Sequence, residues 1–256
     1  MGVLQAFILG LVQGIAEFLP ISSSGHLVLL YNIFGISDNV IFLSVVLHAA
    51  TLLSVLVFYR KEVWALIRRP FQRKAIVIYI ATIITVSVAV LFRQFFEDAF
   101  SGVWLPYAFL GTAVLLVISD IVSRTRKRED GEPKIRTGFV MGIMQSIAIL
   151  PGISRSGATI SGGLFSGESR ETAVDLSFLM SIPIIIASLA MEIFKFMTGE
   201  VVMSSGLVLP LIVGSVVAFV VGFGAIYVTR KLIIGNKAWI FSIYLIGIAI
   251  ITFFVI

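Results

Sequence analysis

Apolar residues run along most of this chain in blocks, and the blocks come in two lengths. Six of them, at 41–59, 75–92, 104–122, 174–194, 207–228 and 238–256, approach the roughly 20 apolar residues that a helix needs to cross a bilayer. Pro183 is expected to bend the fourth, and Trp104 with Pro106 marks the start of the third as an interfacial aromatic and a first-turn proline. Four further runs, 3–19, 26–36, 137–150 and 154–167, are too short to span. They fall in two pairs, each broken in the middle, the first at Pro20 and the second at Pro151-Gly152. A short apolar helix that stops at a proline and turns back reads as half of a re-entrant pair.

The polar positions inside those short pairs are the costly ones. Gln13 to His26 reads QGIAEFLPISSSGH, and Gln145 to Thr159 reads QSIAILPGISRSGAT. A charged side chain at bilayer depth costs roughly 2.5–3.5 kcal/mol on insertion scales, so Glu17 and Arg155 must face protein or a watery cavity. Shifted by 132 residues, the two stretches share Gly10/Gly142, Gln13/Gln145, Ile15/Ile147, Ala16/Ala148, Ile21/Ile153, Ser22/Ser154, Ser24/Ser156 and Gly25/Gly157. Eight identities in sixteen positions exceed what shared hydrophobicity supplies. The chain carries one motif twice, once with an acid and an imidazole and once with an arginine.

Composition and charge then fix the class. At 59% hydrophobic and 13% charged, with a mean hydropathy of +1.08, a 256-residue soluble protein is excluded. There is no Cys, hence no disulfide, thiolate nucleophile or thiolate metal site. The net charge of +5 does not mark a nucleic-acid partner, because 15 of the 19 basic residues sit in loops 60–74, 124–136 and 230–237. The positive-inside rule makes those loops cytoplasmic. The second short pair then enters from the cytoplasm and the first from outside, which makes the repeats inverted. The N-terminus lacks a basic region ahead of its apolar run, so no cleavable signal peptide is expected. The expected fold is an all-α polytopic membrane protein, a single integral membrane domain over 1–256. Six transmembrane helices and two re-entrant helix pairs form inverted-topology repeats, about 1–122 and 137–256, joined by a cytoplasmic loop, 123–136.

The candidate chemistry lies in the two broken pairs. Gln13 and Glu17 are four apart and share a helix face; Glu17 suits a general base or an oxygen ligand to a hard divalent cation. Ser22, Ser23, Ser24 and Gly25 follow the proline and place a nucleophile between Glu17 and His26. Serines at such breaks also satisfy loose backbone groups. His26 is read as an acid–base group, and His48, alone in a span, as structural or supporting. In the second motif, Gly152 in a turn feeding a helix offers backbone N–H groups to an anion. Arg155 adds a planar fork for phosphoryl oxygens, with Ser154, Ser156 and Thr159 as hydroxyl donors. Together these make a phosphoryl-transfer site at mid-membrane, within reach of a lipid headgroup.

Those residues resemble the undecaprenyl-diphosphatase, or bacitracin-resistance, family of lipid phosphatases. Its signatures (E/Q)xxxE, PxSSxGH and PGxSRSxxT match Gln13–Glu17, Pro20–His26 and Pro151–Thr159, and the resemblance runs essentially end to end. It implies hydrolysis of a polyprenyl (undecaprenyl) diphosphate to the monophosphate and inorganic phosphate, recycling the carrier used in cell-wall building and conferring bacitracin resistance. By resemblance Ser23 is the catalytic serine, Glu17 and His26 assist it, and Arg155 grips the phosphate. Gln13, Ser22, Ser24, Gly25, Gly152, Ser154, Ser156 and Thr159 line the substrate pocket. A divalent cation, Mg²⁺ or Ca²⁺, is implied. Because Gln13 stands where many members have Glu, Glu17 with the diphosphate oxygens is the expected metal donor set. The partners are the lipid substrate and membrane lipids, with a homodimer an open expectation. The plasma membrane is the expected location and the outer face the expected opening, since Glu17, Ser23 and His26 belong to the outside-entering pair and Ser37, Asp38 and Asn39 lead from it. The alternative on the same repeat is a polyprenyl-phosphate flippase or anion transporter, which needs Arg155 but not Glu17, Ser23 and His26 as well. The other class of integral lipid phosphatases needs a second histidine with a downstream Asp; His48 is upstream and has none.

Overall fold

A computed structural model describes residues 1–37, 40–99, 103–125, 131–198 and 205–255. Those residues form twelve α-helices and one short 3₁₀ turn, with no strand among them. In order they are α1 (Val3–Phe18), α2 (Ser23–Phe34), α3 (Val40–Phe58), α4 (Arg60–Arg68), α5 (Arg73–Leu91), α6 (Arg93–Ala99), α7 (Leu105–Thr125), α8 (Ile135–Ile147), α9 (Arg155–Phe165), α10 (Arg170–Met197), α11 (Val208–Ile234) and α12 (Trp239–Val255). Asp38 and Asn39 of the polar stretch after α2, and residues 126–130 of the polar linker, lie outside the described residues.

Five helices, α3, α5, α7, α10 and α11, are long and apolar enough to cross a membrane, which makes this a multi-pass membrane protein. The predicted sixth span is α12, with 17 residues, about 25 Å at 1.5 Å per residue. Two elements fall where loops were expected. α4 begins in the basic segment Arg60-Lys61-Glu62 and continues Val63-Trp64-Ala65-Leu66-Ile67, so charge and apolar surface divide between its faces. α6 fills part of the stretch between the second and third predicted spans. α10 stays helical through Pro183.

The short helices end where local chemistry requires. α1 stops at Leu19, ahead of Pro20, whose ring fixes φ and removes a donor. α2 is capped by Ser22, whose hydroxyl accepts from the Gly25 N–H, and it closes on Gly35 in the left-handed conformation. α9 is capped in the same way, Ser154 accepting from the Gly157 N–H.

Small residues let the short helices approach the long ones closely. α1 lies along α11, where a Cβ at Gly10 would fall 2.2 Å from the Gly214 carbonyl oxygen. α8 lies along α5, where a Cβ at Gly142 would fall 2.8 Å from the Ala81 Cα. Without a hydrophobic drive between helices in lipid, such backbone contact is what holds them. α7 and α12 run side by side, with Ser242 donating to the Ala113 carbonyl at 3.2 Å. Phe18, Phe109, Phe178, Leu116 and Met141 fill the core, while Leu53, Ile83, Val220 and Ile243 stand exposed as surface for lipid tails.

Two polar clusters brace the bundle away from the short pairs. Arg170, 1% exposed, donates to Asp120 at 2.6 Å and to the Ser123 hydroxyl, and Arg124 reaches the other Asp120 oxygen at 2.7 Å. Arg230 holds Asp175 with two parallel bonds, 2.8 and 3.0 Å, and the Tyr59 hydroxyl donates to the same carboxylate at 2.7 Å. A bidentate fork of this kind fixes geometry as well as charge.

Candidate functional site

The two broken pairs meet backbone to backbone. A side chain at Gly25 would strike Phe109 and the Gly152 Cα, 2.7 and 2.9 Å from its Cβ position. A Cβ at Gly157 would lie 3.3 Å from that of Pro20. Gly152 itself has φ +91°, a conformation open to glycine, and its carbonyl accepts from Thr112 of α7. Ser156 donates to the Leu19 carbonyl at 3.2 Å, stitching the second loop to the end of α1.

At this junction Glu17 sits 4% exposed, and its carboxylate gathers groups from four helices. Ser23, the first residue of α2, donates to Oε2 at 2.6 Å. Gln13, one turn earlier on α1, donates to Oε2 at 3.0 Å. His48 of α3 brings Nε2 to 3.2 Å from Oε2. Arg155, the first residue of α9, pairs through Nη2 with Oε1. A carboxylate this deep is affordable only because both oxygens are met by donors and by positive charge.

His48 is thus part of the site rather than a bystander. Its Nδ1–H donates to the Ser44 carbonyl at 2.7 Å, so Nε2 donates to Glu17 only when the ring carries both protons. The available signal was the polar row Ser44, His48 and Thr51 down one face of an apolar span, where an ionisable group is functional by default. His26 goes elsewhere. Its Nδ1–H donates to the Ser22 carbonyl and its Nε2 accepts from the Tyr244 hydroxyl, both at 2.7 Å, and its ring stacks on Tyr244 at 5.6 Å. Tyr244 was not singled out by sequence, yet it stands 132 residues after Thr112, and those two side chains each brace one of the loops.

The remaining candidates divide by what their hydroxyls already do. Ser22 and Ser154 are spent as helix caps, and Ser22 holds φ +70°, a strained setting for a residue with a side chain. Ser24 and Ser156 neighbour those caps at 3.4 and 3.2 Å. Thr159 is fully buried and shares a 2.6 Å bond with Ser177 of α10, so it ties α9 to α10. Arg155 and His48 keep 19% and 22% of their side chains exposed, against 2% for Glu17, so the cluster is reached from their side.

As for a divalent cation, no group of three or more acidic or histidine side chains gathers among the described residues. Beside Glu17, however, the Gln13 side-chain oxygen is buried with no hydrogen-bond partner. A carboxylate and a buried amide oxygen four residues apart are donors of the kind a hard cation takes, but the Gln13 amide turns its nitrogen, not that oxygen, to Glu17, so the carboxylate is the donor that fits a cation shared with phosphate oxygens.

Comparison with known proteins agrees over nearly the whole length. The family model described as "Bacitracin resistance protein BacA" matches residues 6–251. A protein named undecaprenyl-diphosphatase from Carboxydothermus hydrogenoformans is 39% identical over 241 residues, covering 94% of this chain and 92% of that one. Undecaprenyl-diphosphatase 4 of Bacillus thuringiensis strain Al Hakam is 36% identical, covering 97% and 95%. A namesake from Methanococcus maripaludis is 36% identical, covering 94% and 95%.

Proposed function

We propose, for a chain that belongs to the bacitracin resistance protein BacA family, that its reaction is carried by the Glu17–Ser23–Arg155 cluster. The activity is that of an undecaprenyl-diphosphatase, which removes the terminal phosphate of the lipid diphosphate and returns the monophosphate carrier to cell-envelope synthesis. Bacitracin resistance goes with the family.

The observation that carries the mechanism is the 2.6 Å bond from the Ser23 hydroxyl to the Glu17 carboxylate. Nucleophile and base are already in hydrogen-bond reach, the geometry expected of an activated serine. Ser23 Oγ attacks the terminal phosphorus and its proton passes to Glu17. The bond to the bridging oxygen breaks and the polyprenyl monophosphate leaves. Water then attacks the phosphoserine, releasing inorganic phosphate and restoring the hydroxyl. Arg155 stabilises the transferring group: one arm rests on Glu17, and its guanidinium has five N–H donors in all. His26, held by Ser22 and Tyr244, keeps the start of α2 in register. Glu17 would hold the divalent cation, which when bound neutralises charge on the diphosphate oxygens.

The membrane arrangement in this reading has α12 as the sixth span and α1–α2 and α8–α9 as re-entrant pairs in inverted repeats. The packing supports it. α1 against α11 and α8 against α5 are equivalent contacts under the 132-residue shift, as are Gly25 on Gly152 and Gly157 on Pro20. The site opens to the outer face in this reading. Towards the basic loops it is closed by Phe18, Phe178 and Tyr59, with ring centroids 5.4 and 6.3 Å apart, and then by the Tyr59–Asp175–Arg230 cluster.

Phosphate release from detergent-solubilised protein tests the reading, since no gradient exists there to drive transport. Release from undecaprenyl diphosphate that disappears in Glu17→Gln is the expected result. Release unaffected by that change would remove Glu17 from the chemistry.

A further inference from the structure

An apolar groove with about 320 Å³ of space, open on one side where Phe95, Ile143 and Ile147 stand exposed, lies between α5, α6 and the end of α8. Ile84 and Val88 of α5, Phe95 and Phe96 of α6, and Ile147 and Leu150 at the end of α8 form its walls. It exists because α8 is a broken helix. α8 ends at Ile147 while its neighbour α5 continues to Leu91, so the last turns of α5 have no helix from the second pair beside them. The inner wall belongs to the phosphate loop itself: the Leu150 carbonyl accepts from the Ile153 N–H at 3.2 Å, in the turn that delivers Ser154 and Arg155.

We propose that this groove holds the first isoprene units of the substrate's prenyl chain, next to the diphosphate. The proposal rests on the reading of Glu17, Ser23 and Arg155 as the phosphatase centre. A lipid diphosphate joins a charged head directly to an apolar chain, so its site must pass from polar to apolar within a few bonds. Here that passage runs from Arg155 to Leu150, five residues along one turn. The one polar side chain in the lining, Ser146, is committed to the Gly142 carbonyl at 2.8 Å and leaves the wall apolar.

The matching place in the other half of the molecule is filled. Under the 132-residue shift Leu150 corresponds to Phe18, which is 1% exposed and packs edge-on against Phe178, with Tyr59, Phe58 and Phe223 behind it. Aromatic rings close one end of the junction and a groove stands open at the other. The volume is within the roughly 300–1,000 Å³ of ligand pockets, enough for the head of the chain and far short of a polyprenyl tail, whose remainder stays in the bilayer.

Two experiments decide it. A prenyl diphosphate with a photoreactive diazirine on the isoprene nearest the diphosphate is irradiated with the unaltered, solubilised protein. Labelling within 84–96 and 143–150, displaced by unlabelled undecaprenyl diphosphate, is expected. Labelling on α11 or α12, or labelling that the substrate fails to displace and so is non-specific adsorption on the apolar surface, overturns the proposal. In the second, Val88→Trp narrows the groove. The ratio of kcat/KM on undecaprenyl diphosphate to that on ethyl diphosphate should fall about tenfold or more, the size of effect apolar pocket contacts produce; an unchanged ratio overturns it. Failure of the catalytic reading looks different: Arg155→Ala would then turn over substrate normally while the labelling pattern stayed as it is.

Discussion

Ser23 and Arg155 take hold of opposite oxygens of one carboxylate, that of Glu17, from equivalent positions in the two halves of the chain. Each is the first residue of the returning helix of its pair, and each follows a serine that caps that helix. The duplicated scaffold therefore aims two different side chains at one point, one able to donate a proton and attack, the other able only to carry charge. Since the loops touch through Gly25 and Gly152, neither side chain can shift without the other loop.

Among the three serines, Ser23→Ala should reduce turnover by several orders of magnitude while Ser24→Ala stays within a few-fold. Of the three, among the described residues, only Ser23 bonds Glu17; Ser24 neighbours Ser22 at 3.4 Å. Ser22→Ala should show in thermal stability instead, by the ~1 kcal/mol typical of a lost cap. Single-variant rates measured side by side check this, and three similar rates would mean that water attacks directly.

Arg155→Ala should lose about 10²–10³ in kcat, the usual consequence of removing one donor to developing charge. Arg155→Lys should recover little of it, because a point charge cannot bridge Glu17 and phosphate as the fork does. Steady-state rates on protein that still elutes as a folded species supply the check. Retention of activity within three-fold in the Ala variant contradicts the assignment.

His48→Ala should lower kcat about ten-fold or more, and His48→Gln should restore part of the loss. The Gln amide can donate to Glu17 Oε2 from about the place that Nε2 occupies, 3.2 Å away. A packing role alone would be met equally well by His48→Leu, so a Leu variant as active as the Gln variant defeats this.

Sequence carried the helical class and the paired motifs because proline, glycine and buried charge are local signals. The cap at Ser154, the turn at Gly152 and the meeting of Glu17 with Arg155 all lie where the repeated motif places them. What it carried less well depends on helix rotation. An apolar span gives no face to His48, so its approach to Glu17 needed the packing of α1 on α3. His26 stands three residues from Ser23 in sequence, and one helical turn points its ring at Tyr244 instead. The α4 helix was hidden because the charges at Arg60, Lys61, Glu62 and Arg68 read as loop although Val63 to Ile67 are apolar.

The last expectation concerns the face at which substrate enters. Towards the basic loops the path from Glu17 meets Phe18 against Phe178, then Tyr59, whose hydroxyl is fixed on Asp175, which Arg230 grips with two bonds while also reaching Glu171 at 2.9 Å. Opening that way would break a bidentate, partly buried ion pair and separate packed rings. Arg155 and His48, by contrast, are already partly exposed. An impermeant diphosphate analogue should therefore inhibit oriented vesicles only when offered to the face opposite the basic loops. Tyr59→Phe and Arg230→Ala should loosen the closed end, lowering thermal stability without creating inhibition from the basic side. Inhibition confined to the face bearing those loops reverses the assignment and makes the pocket cytoplasmic.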